Sequence, residues 1–265
     1  SIAVTGVQTC ALPIYIFITA HIMAQIKFKT HLKCILLASI LLSGCQTAFE
    51  EDQTRRSKIT QFALNHPVAA QAIGMEDTGS FNISSNATRF AYRSGLDDTA
   101  NGDGKGTQVN AVRQALWQAA ITSQFDNVIA EEAGNAYLAD IKIREGKINY
   151  FSRYLADQAV DQRNNRIGRS IGSGRPNTDM KALAESVLLY YHKIGLWTAS
   201  ETRTNGRKVW RITQEKLSPS AYREAMKNIE PLDAEGLREE ERNMPKPDKI
   251  DSISKTVKAI RKVKD

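Results

Sequence analysis

Cysteine is scarce and badly placed for structural work. All three, Cys10, Cys34 and Cys45, fall in the first fifth of the 265-residue chain. No disulfide framework or cysteine-based zinc site can therefore hold the remainder together. Histidine is equally thin, at His21, His31, His66 and His192, which leaves little material for a histidine metal centre or a histidine-activated nucleophile. Neither a metal nor a cofactor is expected. The apolar run before Cys45 is too short to span a bilayer, which takes about 20 apolar residues. Excess charge is also missing from the middle of the chain. The net +7 comes from Lys27, Lys29 and Lys33, which precede Cys45, and from seven Lys/Arg against three Asp after residue 244. The intervening stretch is neutral by count, so composition gives no reason to expect a nucleic-acid partner, although it leaves room for a local basic patch.

What remains is 42% apolar and 25% charged, enough for one good core. From Met23 the chain reads as a basic region around Lys27–Lys33, a short apolar stretch over 34–42, and small residues leading to Cys45. This is the plan of a signal peptide. Leu42-Ser43-Gly44-Cys45 resembles the bacterial lipobox. The resemblance implies that residues 23–44 are removed, that the Cys45 thiol carries diacylglycerol, and that the membrane is a partner through that lipid. Gln46, in place of an aspartate, leans towards the outer membrane with the protein facing the periplasm. Residues 1–22 do not fit that plan and are expected to be a non-native leader or translation artefact. Residues 45–57 read as a polar tether.

A mainly α-helical domain of about five to seven helices is expected over 58–230, with one β-hairpin near 196–213. Ile59, Phe62 and Ala63 recur at helical spacing before His66, and Pro67 can open a short helix stopped by Gly74. Ser84 or Ser85 could cap another helix through Phe90. Gly95–Gly106 is a turn-rich loop. It matches a calcium loop poorly because Gln108 stands where a bidentate glutamate is needed, and it lacks the strand and lysine order of a phosphate loop. Three longer helices are expected over 108–122, 127–144 and 152–166, the last followed by Gly168, and a fourth over 179–193. Leu196–Arg203 and Arg207–Thr213 then alternate around Asn205-Gly206, a strong hairpin signal. A charged helix over 218–228 completes the domain. Residues 231–265 are expected to form a charged, flexible basic tail. Ile253, Val257 and Ile260 give its end an amphipathic face, and residues 245–265 are expected to contact an anionic surface.

The chemistry-bearing residues lie on the long helices. Asn110, Arg113 or Gln114, and Trp117 share one helical face, as do Asp157, Asp161 and Asn164 or Asn165. Asn110-Ala111-Val112-Arg113-Gln114-Ala115-Leu116-Trp117, then Gly134-Asn135-Ala136, then Asp161 through Arg169 with Asn164, Asn165 and Gly168, resemble an uncharacterised family of helical bacterial domains found in secreted, toxin-like and phage-associated proteins. That family's pattern is N-A-x-R-H-x-x-W, G-x-A-H-E and D-x-x-N-N-x-x-G-R. Its first histidine is replaced here by Gln114 and its His-Glu pair by Tyr137-Leu138. The resemblance implies a site that either binds without catalysis or is a degenerate hydrolase of an envelope polymer or lipid, with Arg113, Asp157 and Asp161 as the candidate catalytic groups.

Packing alone suggests that Arg113 pairs with Asp161 or Asp157 between helices, with Asn164 and Asn165 closing backbone groups near the helix end. A buried pair of that kind would make Arg113→Ala cost about 3–5 kcal/mol. Trp197 and Trp210 flank the hairpin as in a winged helix, but no basic recognition helix accompanies them. His192 is expected to be a packed helix-end histidine.

Overall fold

The computed structural model describes residues 54–77, 79–98, 107–138, 144 and 146–242. The chain divides after Gln53, and all described residues lie in the second unit, Thr54–Asp265, whose core is built from its own side chains. The lipobox, residues 1–44, most of the 97–106 loop and the 243–265 tail lie outside the described residues. Among those described, no helix is long and apolar enough to cross a membrane.

The fold is mainly helical with a small antiparallel sheet. In chain order it runs α1 (54–65), α2 (Pro67–Ile73), α3 (Ile83–Arg93), α4 (Gln108–Gln124), α5 (Asn127–Tyr137), β1 (Asn149–Tyr150), α6 (Arg153–Ser173), α7 (Met180–Lys193), β2 (Leu196–Thr204), β3 (Arg207–Glu215), α8 (Pro219–Ile229) and α9 (Glu239–Arg242). Side-chain caps start most of the longer helices: Asn82 on Ser85 N–H, Thr107 on Asn110 N–H, Asp126 on Ile129 N–H, Asp179 on Ala182 N–H and Ser218 on Ala221 N–H. Asn82, rather than Ser84 or Ser85, caps α3.

α4 is the centre of the molecule. Thirteen of its seventeen residues are buried, because α3, α5, α6 and α7 all pack on it. A helix covered on all sides loses the one-sided apolar stripe of a surface helix. Its most intimate partner is α6, and that contact corrects the expected end of the third long helix. α6 runs straight through Gly168 and Gly172 to Ser173. Both glycines face α4 so closely that a Cβ on Gly168 would lie 2.1 Å from the Ala115 carbonyl oxygen, and one on Gly172 would lie 2.4 Å from that of Ala119. These glycines are contact residues inside the helix, where sequence reasoning took Gly168 for a stop signal.

α5 is shorter than expected. It ends at Tyr137, where Leu138 leaves helical geometry. The Lys58 ammonium of α1 donates to the free carbonyls of Asn135 and Leu138 there, at 3.4 and 2.9 Å.

The hairpin forms as expected, with Asn205 and Gly206 both at positive φ in its two-residue turn. It gains β1 as a third strand in the order β1-β3-β2, with Tyr150 opposite Trp210. Two residues carry too little alternation for β1 to be read from sequence. One sheet face packs on α6 through Tyr150, Ala199 and Ile212 against Ala156, Ala159 and Val160.

The α4–α6 contact generates a stability prediction. Gly168→Ala forces its methyl into a backbone carbonyl and is expected to lower stability by about 3 kcal/mol. Gly174→Ala, whose Cβ would meet nothing nearer than 3.8 Å, should stay within about 0.5 kcal/mol of wild type. Chemical denaturation of both variants measures the contrast.

Candidate functional site

At its N-terminal end, the same α4–α6 junction carries a polar relay. Asn110, fully buried in the first turn of α4, donates from Nδ2 to the Asp161 carboxylate on α6 at 2.8 Å. Its Oδ1 accepts from the Arg113 guanidinium at 2.7 Å. Arg113 in turn pairs with Glu76, in the connection between α2 and α3, at 2.9 Å.

The expected direct pairing of Arg113 with Asp161 or Asp157 is therefore replaced. Asn110 stands between Arg113 and Asp161, and the counter-ion of Arg113 is Glu76, which sequence reasoning missed. Arg113 and Glu76 are 27% and 49% exposed, so this pair stays partly in water. Ionic groups placed there avoid most of the desolvation cost of a sealed pair. Asp157 is drawn elsewhere: it is buried, with Arg153 one helical turn before it at 3.5 Å.

Beside the relay, Trp117 is buried and donates its indole N–H to Ser84 Oγ at 3.0 Å. Ser84 Oγ in turn donates to the Gly74 carbonyl at 3.1 Å. The indole meets the Tyr137 ring edge to face at 5.3 Å. Burial of its ring pushes the Tyr137 phenol up from its ordinary value, against a smaller downward pull from Arg55. Gln114 is half-buried one turn after Asn110.

The other motif residues build structure. Asn164 is fully buried and binds the backbone of Trp197 on β2 twice, donating to its carbonyl at 2.8 Å and accepting from its N–H at 2.9 Å. One amide thereby replaces a missing strand neighbour and pins α6 to the sheet. This happens mid-helix, not at the helix end where sequence reasoning placed Asn164 and Asn165. Gln118, fully buried, donates to the Ala130 carbonyl at 2.8 Å and accepts from Arg169 at 2.9 Å. Burial holds the Arg169 guanidinium below its usual range, with Glu131 opposing and Arg166 reinforcing the shift. A Cβ on Gly134 would lie 3.2 Å from Gln118 Nε2 and 3.4 Å from Asn165 Nδ2, so α5 approaches α4 and α6 closely there. Gln118 directly follows Trp117 of the motif, and nothing in the sequence separates it from the other polar residues of α4. His192 packs as expected, stacked on Tyr222 at 4.7 Å with Nδ1 3.0 Å from the Leu217 carbonyl.

Two surface grooves lie away from the relay. One, of about 470 Å³, is lined by Ile171, Arg175, Leu189 and Lys193. The other, of about 380 Å³, is lined by Ile83, Gln124, Met180 and Leu183. Among the described residues, no three His, Cys, Asp or Glu side chains converge as a metal site requires.

Fold and site together define a mainly α-helical domain with a small antiparallel sheet and a half-open Asn/Arg/Asp relay at its centre. Residues 75–193 match the family model described as a domain of unknown function, DUF6973. The matched stretch runs from the residue before Glu76 to the end of α7 and contains the whole relay. No curated protein and no solved structure shows a significant match.

Arg113→Ala is expected to cost about 1 kcal/mol, as suits a partly solvated pair. Asn110→Ala, which removes the bonds to Asp161 and from Arg113 and leaves a void at a fully buried position, should cost about 2–3 kcal/mol. Asn164→Ala, which leaves both backbone groups of Trp197 unpaired, should cost about 3 kcal/mol. Denaturation midpoints at constant slope rank the three.

Proposed function

We propose that this protein is a bacterial envelope lipoprotein, anchored through diacylglycerol on Cys45, whose helical domain serves as a binding or accessory module. The anchor rests on the lipobox-like Leu42-Ser43-Gly44-Cys45 behind a basic and then apolar leader. Gln46 favours the outer membrane, facing the periplasm. A module without its own catalysis is supported by one observation. The positions where the resembled family has histidine, and a His-Glu pair, hold Gln114, Tyr137 and Leu138, none of which titrates near neutrality. The relay beside them offers a guanidinium, an amide and a carboxylate already satisfied by one another, which suits recognition better than proton transfer.

The openness of that same relay favours a second reading, a hydrolase of an envelope polymer or lipid in which Asp161 is the acid or base. Cys45→Ser should block palmitate incorporation and release the protein from membranes or leave its leader uncut; equal labelling of wild type and variant overturns the anchor. Soluble fragments released from isolated envelopes by wild type, and cut about a hundredfold in Asp161→Asn, would replace the binding module by the hydrolase.

A further inference from the structure

The stretch 45–244 is neutral by count, but its charge is not evenly spread. Two segments, 146–157 and 201–211, meet where β1 pairs with β3, through Asn149 opposite Arg211 and Tyr150 opposite Trp210. Together they carry six cations, Lys147, Arg153, Arg203, Arg207, Lys208 and Arg211, against two acids, Asp157 and Glu201. Asp157 is buried beside Arg153, and Glu201 is engaged by Lys208 at 2.6 Å. The four other cations are exposed at the surface of this end of the sheet.

The same end of the sheet also exposes apolar side chains. Phe151 is 78% exposed, and Ile148 and Tyr154 flank it, also exposed. The three lie at 148, 151 and 154, around the turn that leads from β1 into α6. Several of the cations stand over aromatic rings: Lys147 over Tyr150 at 4.8 Å, and Arg153 and Lys208 over Trp210 at 5.7 and 5.9 Å. Such stacking holds cationic heads at the level of the aromatic surface.

We infer that this end of the sheet docks on an anionic phospholipid bilayer, with Phe151 and Ile148 entering the headgroup–acyl boundary and the surrounding cations meeting lipid phosphates. Exposed aromatic and aliphatic side chains accompanied by Lys and Arg are the composition that lies in a membrane interface. The charge also has the sign that an anionic leaflet attracts. A nucleic acid would meet the same cations through its phosphates, but it gives no reason for an exposed Ile148 and Phe151. The inference does not depend on lipid at Cys45, and the experiment omits that residue.

Residues 54–265, whose core is self-contained, are sedimented with vesicles of phosphatidylglycerol and phosphatidylcholine, and with phosphatidylcholine alone. Binding to the anionic vesicles is expected, weakening as salt is raised. Phe151→Ser should lower partitioning about tenfold, the scale of one buried aromatic side chain. Arg203→Glu with Arg207→Glu should lower it by about tenfold or more, while circular dichroism reports an unchanged fold. Both losses should persist in a chain ending at residue 244. Three results would each overturn the inference: equal binding to neutral and anionic vesicles, binding untouched by Phe151→Ser, or binding abolished by loss of 245–265 alone. Tight binding of a duplex oligonucleotide that Phe151→Ser leaves unchanged, without vesicle binding, would assign the patch to nucleic acid instead.

Discussion

The close crossing of α4 and α6 is the constraint on which the rest of this domain depends. With no side chains on Gly168 and Gly172, the α6 backbone comes against the carbonyls of Ala115 and Ala119, a separation that any Cβ would widen. That approach puts Asp161 within hydrogen-bonding reach of Asn110, and Arg169 within reach of Gln118. Were the helices held further apart, both contacts would lengthen beyond hydrogen-bond range and leave buried polar groups unsatisfied, at a cost of a few kcal/mol each. The glycines and the polar residues of the motif are therefore one device: the former set the distance that the latter require.

Seen this way, most of the motif is architecture. Asn164 ties α6 to β2, Gln118 ties α4 to α5, and Arg169 locks Gln118. Gly134 admits the amides of Gln118 and Asn165. What is left over is the small group at the mouth of the α4–α6 junction, where Arg113, Gln114 and Glu76 reach solvent. A rigid, hydrogen-bonded scaffold with a few half-exposed polar groups at one place is how proteins hold a binding surface in register. The same scaffold carries the basic and aromatic end of the sheet, because Tyr150, Ala199 and Ile212 pack on the N-terminal half of α6.

Much of the fold was legible in the sequence because its signals are local. Helical periodicity, capping residues and Asn205-Gly206 announce the longer helices and the hairpin within a few residues of where they act. The departures arise where a distant segment intervenes or where the local signal is too short. Gly168 has the chemistry of a stop signal, yet it occupies a helix interior because a neighbouring helix excludes a side chain there. α5 ends early at Tyr137, where Lys58, nearly eighty residues away, satisfies the terminal carbonyls. β1 is too short to show an alternation. Of the candidate site, Asn110, Arg113 and Asp161 were recognisable as polar groups on apolar helices, but their order of contact was not. Glu76 lay in an irregular connection that no periodicity marks.

By itself, the sequence determined the class of the domain, the run of its helices, the hairpin, and the basic, apolar and small-residue pattern before Cys45, since each depends on neighbouring residues alone. Only the tertiary structure decided that Asn110 mediates between Arg113 and Asp161, that Arg113 finds its counter-ion in Glu76, and that two basic segments meet where β1 pairs with β3. Those outcomes depend on distances between segments far apart in sequence, and such distances are set by how closely two helix backbones can approach once the side chains between them are gone.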